Sequence, residues 1–138
     1  MSTAQQRTPE WLVVVVALSL YAALECAWIA SMRAFYERSF RRIQPRWSGR
    51  YDVPAVVAAY VVLFVVVYFF LVRVDARATW VHAVLLGLGI YGVYNLTNRA
   101  TLLGYSWAVV AVDTAWGVAA VSTVYFVATA LRRRRFAL

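Results

Sequence analysis

Residues 53–72 read VPAVVAAYVVLFVVVYFFLV, twenty positions without a charge and with only two tyrosines as polar groups. A helix of that length rises roughly 30 Å, the thickness of a bilayer's hydrocarbon core. Valine at this density favours strand in water. In lipid, every backbone N–H and C=O needs an internal partner, and a single helix supplies them all. A chain of 138 residues with continuous apolar runs is too small, and wrongly patterned, to close a lipid-facing barrel. The stretch therefore reads as a membrane-spanning helix.

Three further runs of suitable length follow the same logic, at 11–32, 78–96 and 106–131. The composition agrees: 64% of residues are hydrophobic and 14% charged, about half the charge of a soluble domain. The expectation is a single integral membrane domain over 1–138, multi-pass and all-α, folded as a four-helix transmembrane bundle. The first run follows a weakly charged Ser/Gln-rich stretch and lacks a clear small-x-small cleavage pattern, so it is expected to be retained as a span.

Connections at 73–77 and 97–105 are short and favour antiparallel neighbours. The connection at 33–52 is longer and patterned. Tyr36, Phe40, Ile43 and Trp47 recur at spacings of four, three and four, with arginines between them and Pro45 interrupting. This predicts a short amphipathic segment at the interface after the first helix; an irregular basic loop is the plainer alternative.

All 14 basic residues are arginine. Without lysine there is no Schiff base, which excludes a covalently attached retinal or pyridoxal cofactor. Cys26 alone makes no internal disulfide or zinc motif, and His82 alone excludes a bis-histidine haem within the chain. No cofactor and no metal are expected. The net charge of +8 is concentrated at Arg38, Arg41, Arg42, Arg46 and Arg50, and again at Arg132, Arg133, Arg134 and Arg135. Flanking apolar spans, such clusters point to anionic headgroups of the bilayer or to partner proteins, and nucleic acid is disfavoured. With four spans the arginines divide seven against seven between the two faces, so orientation stays undecided.

Two acids interrupt the spans. Glu25 lies seven residues before Met32, and Asp113 seven after Ser106, so each sits roughly 10 Å inside a face. In an up-down bundle it is the same face. An ionised side chain near the bilayer centre costs roughly 2.5–3.5 kcal/mol on insertion scales, so such groups usually have a partner or a task. Tyr21, Glu25, Trp28 and Met32 share a stripe on the first span. Tyr91, Tyr94, Asn95 and Asn98 share one on the third, with Thr97 beside them, and Asp113, Trp116 and Gly117 share one on the fourth. Arg33 and Arg99 stand at the rim, within reach of the acids. Gly87, Gly89 and Gly92, with Ala115 and Ala119, permit close helix approach.

The segment Tyr94-Asn95-Leu96-Thr97-Asn98, followed by Ala100-Thr101 and then by Asp113, Trp116 and Gly117, resembles a family of predicted small membrane proteins. It is the one catalogued as domain of unknown function 2177, with members in bacteria and in large DNA viruses. Glu25 with Trp28, and Phe35-Tyr36 just after that span, fit the same pattern. Two positions depart from it: Asn95 stands where the family pattern has aspartate, and Glu25 where it has the shorter acid. The resemblance implies a membrane bundle and assigns no activity.

Three functions fit these residues. The favoured one is a non-enzymatic structural or assembly component of a membrane-associated complex, its acids clasping helices together. Its partners would be other membrane or capsid-type proteins, or further copies of itself. A viral member would belong to the virion's internal membrane. The alternative is a small proton- or cation-coupled transporter using Glu25 and Asp113. An enzyme on a lipid substrate lacks a nucleophile–base pair or a metal set.

Overall fold

The computed structural model describes residues 6–46, 50, 52–72, 79–133 and 135–136, the side chains of 6, 7, 135 and 136 excepted. Four helices are long and apolar enough to cross a membrane: α1 Glu10–Ile43, α2 Val53–Val72, α3 Trp80–Thr101 and α4 Trp107–Arg133. The protein is an all-α, multi-pass integral membrane bundle, as the hydropathy predicts. The connection at 73–77, Trp47 and Arg134 lie outside the described residues. Near the termini, β1 (Gln6–Arg7) and β2 (Arg135–Phe136) pair antiparallel.

The helix ends follow local chemistry. Asp52 accepts a hydrogen bond from the Ala55 amide at 3.2 Å and starts α2, with Pro54 in the first turn, where its missing N–H does no harm. His82 is turned back to the start of α3, its Nδ1 accepting from the Thr79 amide at 3.1 Å. The Ser106 hydroxyl accepts from the Ala108 amide at 3.1 Å and opens α4. Gly104, at φ +89°, makes the turn before it, a conformation L side chains avoid.

Helix α1 is longer than its hydropathy suggests. The amphipathic segment after the first span is present, but as an unbroken continuation of α1 rather than a separate element. No helix breaker occurs before Pro45, which holds Gln44 extended at φ −127°, ψ 88°. On the inner face of this extension Phe35, Tyr36 and Ile43 pack against Tyr105, Val109 and Val110. Burial of that stripe outweighs the arginine-rich composition.

Helix α4 packs against both α1 and α3. Small residues set the α3–α4 distance: a Cβ on Gly87 would stand 2.7 Å from the Val118 Cα. Gly89 faces open space, and Ala115 and Ala119 face outwards, so these three take no part in the close approach. The common core gathers Val13, Ala17 and Tyr21 of α1, Val67 and Leu71 of α2, Ala83 and Tyr91 of α3, and Val121 and Val124 of α4. Helix α2 joins it through its C-terminal half, and residues 53–59 are exposed. The outward Val57, Val61, Val62 and Phe70 form the lipid-facing surface a spanning helix needs.

Candidate functional site

Glu25 is buried, 6% exposed, in the half of the bundle that faces the 102–106 turn. Its Oε1 accepts from the Tyr91 hydroxyl of α3 at 2.9 Å and from the Trp116 indole of α4 at 2.9 Å. Since Tyr91 donates to the acid, Tyr21 is left to donate to Tyr91, at 2.7 Å. Tyr60 of α2 also presents its hydroxyl to Glu25. All four helices thus contribute to one carboxyl group.

Asp113 is held by a second set of neutral donors. The Tyr36 hydroxyl donates to Oδ1 at 2.5 Å and the Asn95 amide to Oδ2 at 2.7 Å. Trp28 donates its indole N–H to Tyr36 at 2.9 Å. Asn95, fully buried, also donates to the Tyr91 carbonyl at 2.8 Å and accepts from the Tyr105 hydroxyl at 2.6 Å. Burial pushes the Tyr105 phenol up to about 12; neighbouring Tyr94 adds to this and a hydrogen bond with Asn98 opposes it. Tyr105 therefore stays a neutral donor at ordinary pH.

The two halves are one network. Trp28 and Trp116, each tied to a different half, stack at 4.4 Å with their planes 1° apart. The Asn95–Tyr91 bond closes the other side. A five-residue π turn, Leu88–Gly92, interrupts α3 where Tyr91 sits, a local widening common at functional sites. The ring of Tyr91 lies against Gly117, where no side chain intervenes.

The structure brings Glu25 and Asp113 into one network with Trp28, Tyr91, Asn95 and Trp116. Other residues expected nearby go elsewhere. Tyr94 and Thr97 are exposed, Thr97 bonding the Val93 carbonyl at 2.5 Å. Asn98 meets the cluster through a hydrogen bond with Tyr105. Arg33 pairs with Glu37 at 2.8 Å on an exposed surface, and Arg99 lies over the Trp107 ring at 5.2 Å. Neither arginine donates in the hydrogen bonds described for the acids, which come from uncharged groups. Tyr21, Tyr36, Tyr60 and Tyr105 complete the site. Tyr21 is legible as the residue one turn before Glu25. Tyr36 is legible in the amphipathic repeat and the family pattern but not as a donor to Asp113, because it lies beyond the span and its ring reaches back along α1.

At the opposite end, Arg132 is not turned to lipid. It meets Glu10 at 2.6 Å and donates to the Val72 carbonyl at the end of α2, joining three helices. Thr8 adds a bond to the Leu131 carbonyl at 2.6 Å. Arg133 is exposed, as are Arg38, Arg41, Arg42 and Arg46; the Arg135 side chain lies outside the described residues. Among the described residues, no three of His, Cys, Asp and Glu gather as a metal set would require.

Residues 11–130 match the family described as predicted membrane protein, DUF2177. The chain belongs to that family. No curated protein and no solved structure matches it. Within this DUF2177 chain, the Tyr-Asn-Leu-Thr-Asn segment is now divided by geometry: Asn95 faces the cluster, whereas Tyr94 and Thr97 face away. The amide at 95 suits its place. It donates to Asp113, which an ionised carboxylate at this position is unable to do.

Proposed function

We propose that this DUF2177 protein is a non-enzymatic structural or assembly component of a membrane-associated complex; in a viral member, that of the virion's internal membrane. The observation supporting this reading is that both intramembrane acids end on neutral donors from other helices. Inter-helix hydrogen bonds in membranes contribute about 0.6–2 kcal/mol each. Five of them here, Tyr91–Glu25, Trp116–Glu25, Tyr21–Tyr91, Tyr36–Asp113 and Asn95–Asp113, each join two of the helices α1, α3 and α4. An open groove of about 510 Å³ between α3 and α4 is lined by residues such as Leu88, Leu96, Ala111 and Val118 and reaches neither acid.

Crosslinking in native membranes followed by copurification tests this role. Stoichiometric partners, or a defined self-assembly, are expected. A freely diffusing monomer with nothing bound would overturn it.

A second reading is supported by the continuity of the hydroxyl chain Tyr21–Tyr91–Glu25 beside the π turn of α3: a small proton- or cation-coupled transporter. Flux in liposomes that Glu25→Gln abolishes would establish it. The clasping role expects no flux in either form.

A further inference from the structure

Helix α1 outruns the bilayer. Its 34 residues extend roughly 51 Å, against a hydrocarbon core of about 30 Å. Arg33 is the first basic residue past the span. From there Arg38 stands about 8 Å further along the axis, and Arg41 and Arg42 about 12–14 Å. The headgroup layer is only about 5–8 Å thick on each side. Arg38 is therefore at its outer edge, with Arg41 and Arg42 beyond it.

The extension is held upright. Phe35, Tyr36 and Ile43 pack on Tyr105, Val109 and Val110, and Tyr36 is tied to Asp113. Gly104 brings the turn against the Arg42 carbonyl so closely that a Cβ would stand 3.2 Å from it. Lying down into the headgroups would break all of these contacts. On the opposite face Arg38, Arg41 and Arg42, spaced i, i+3 and i+4, are exposed, and Arg46 follows them.

We propose that this arginine face docks an acidic segment of another protein. The proposal rests on the assembly role above and names the chemistry of the partner. Guanidinium groups in a row suit carboxylates, which they bind bidentately. Their height argues against headgroups as the occupant. The arm's aromatic residues, Phe35, Tyr36 and Phe40, are half-buried, which leaves little ring surface for stacking nucleic-acid bases. A second copy is a poor complement as well. Among the described residues, Glu10 is engaged by Arg132, Glu37 by Arg33, Asp52 by the start of α2, and Glu25 and Asp113 by the cluster; Asp75 lies outside the described residues.

The test uses the full chain in phosphatidylcholine nanodiscs at physiological salt, titrated with a labelled decapeptide of alternating Glu and Asp. Saturable binding is expected, weakened at least tenfold by combined Arg38→Gln, Arg41→Gln and Arg42→Gln. The single Arg41→Glu change is expected to weaken it in the same direction, and unchanged helicity of each variant shows that the arm persists. Absent peptide binding, or binding indifferent to these changes, would overturn the proposal. So would arginine-dependent binding found only with phosphatidylglycerol vesicles or with duplex DNA. If native partners still copurify when the peptide result is negative, the assembly role stands and only this surface is wrong. If the chain is a freely diffusing monomer with nothing bound, the assembly role itself fails.

Discussion

The ring of Tyr91 lies against the bare backbone of Gly117, in the space that a Cβ would occupy. That contact sets where the Tyr91 hydroxyl meets Glu25. Gly117→Ala should push the ring away, break its bonds to Glu25 and Tyr21, and destabilise the bundle by about 2–3 kcal/mol, the scale of an overpacked core. Gly89→Ala, whose Cβ meets nothing within 4 Å, should instead be neutral or stabilise by about 0.5–1 kcal/mol. Thermal unfolding of both variants in one detergent checks the pair.

Tyr36 accepts from Trp28 and donates to Asp113 through one oxygen atom. Tyr36→Phe keeps the ring against Tyr105 and Val110 but removes both bonds. A loss of about 1–3 kcal/mol is expected, because Asp113 is left one donor short in a half-buried place. Hydrogen exchange should rise at residues 107–113 before it rises in the core half of α4.

Asn95 and Asp113 are an ordered donor–acceptor pair 2.7 Å apart. Asn95→Asp alone should destabilise strongly, since two acceptors then face each other. Adding Asp113→Asn restores one amide and one carboxyl group with their places exchanged. The double variant should recover part of the lost stability, giving a coupling energy of about 0.5–3 kcal/mol in a double-mutant cycle. Strict additivity of the two changes would sink the pairing.

Arg132→Ala should loosen the other end of the bundle. The ion pair with Glu10 is partly exposed and contributes about 1 kcal/mol or less. The Val72 carbonyl left behind costs more, about 1–3 kcal/mol for a buried acceptor without its partner. Faster hydrogen exchange at residues 68–72 is the expected signature. Arg133→Ala, on an exposed neighbour, should change stability by no more than about 0.5 kcal/mol.

Hydropathy and depth arithmetic account for much of this picture. The four spans follow from apolar length, and the meeting of Glu25 with Asp113 follows from the rise per residue. Helix ends were less legible. The polar run Thr97 to Thr101 reads as the start of a connection, yet α3 continues through it, and Thr97 and Thr101 return their hydroxyls to carbonyls one turn back. The arginines of 33–43 likewise conceal an inner apolar stripe that becomes buried only once the 102–110 segment lies beside it. The donors to the acids were the hardest to read. Charge complementarity points to Arg33 and Arg99, whereas tyrosine, tryptophan and asparagine fill the role without placing a second charge in lipid.

The donors to Glu25 on α3 and α4 come from residues 66 and 91 positions later in the chain. During synthesis the first helix therefore enters the bilayer before any of its donors, and Glu25 meets Tyr60, Tyr91 and Trp116 in turn as α2, α3 and α4 arrive. A chain cut short before α4 lacks the Trp116 bond that the finished chain makes. The bonds of this one carboxyl group therefore count how many helices are in place, and its full set is made only when the bundle is complete.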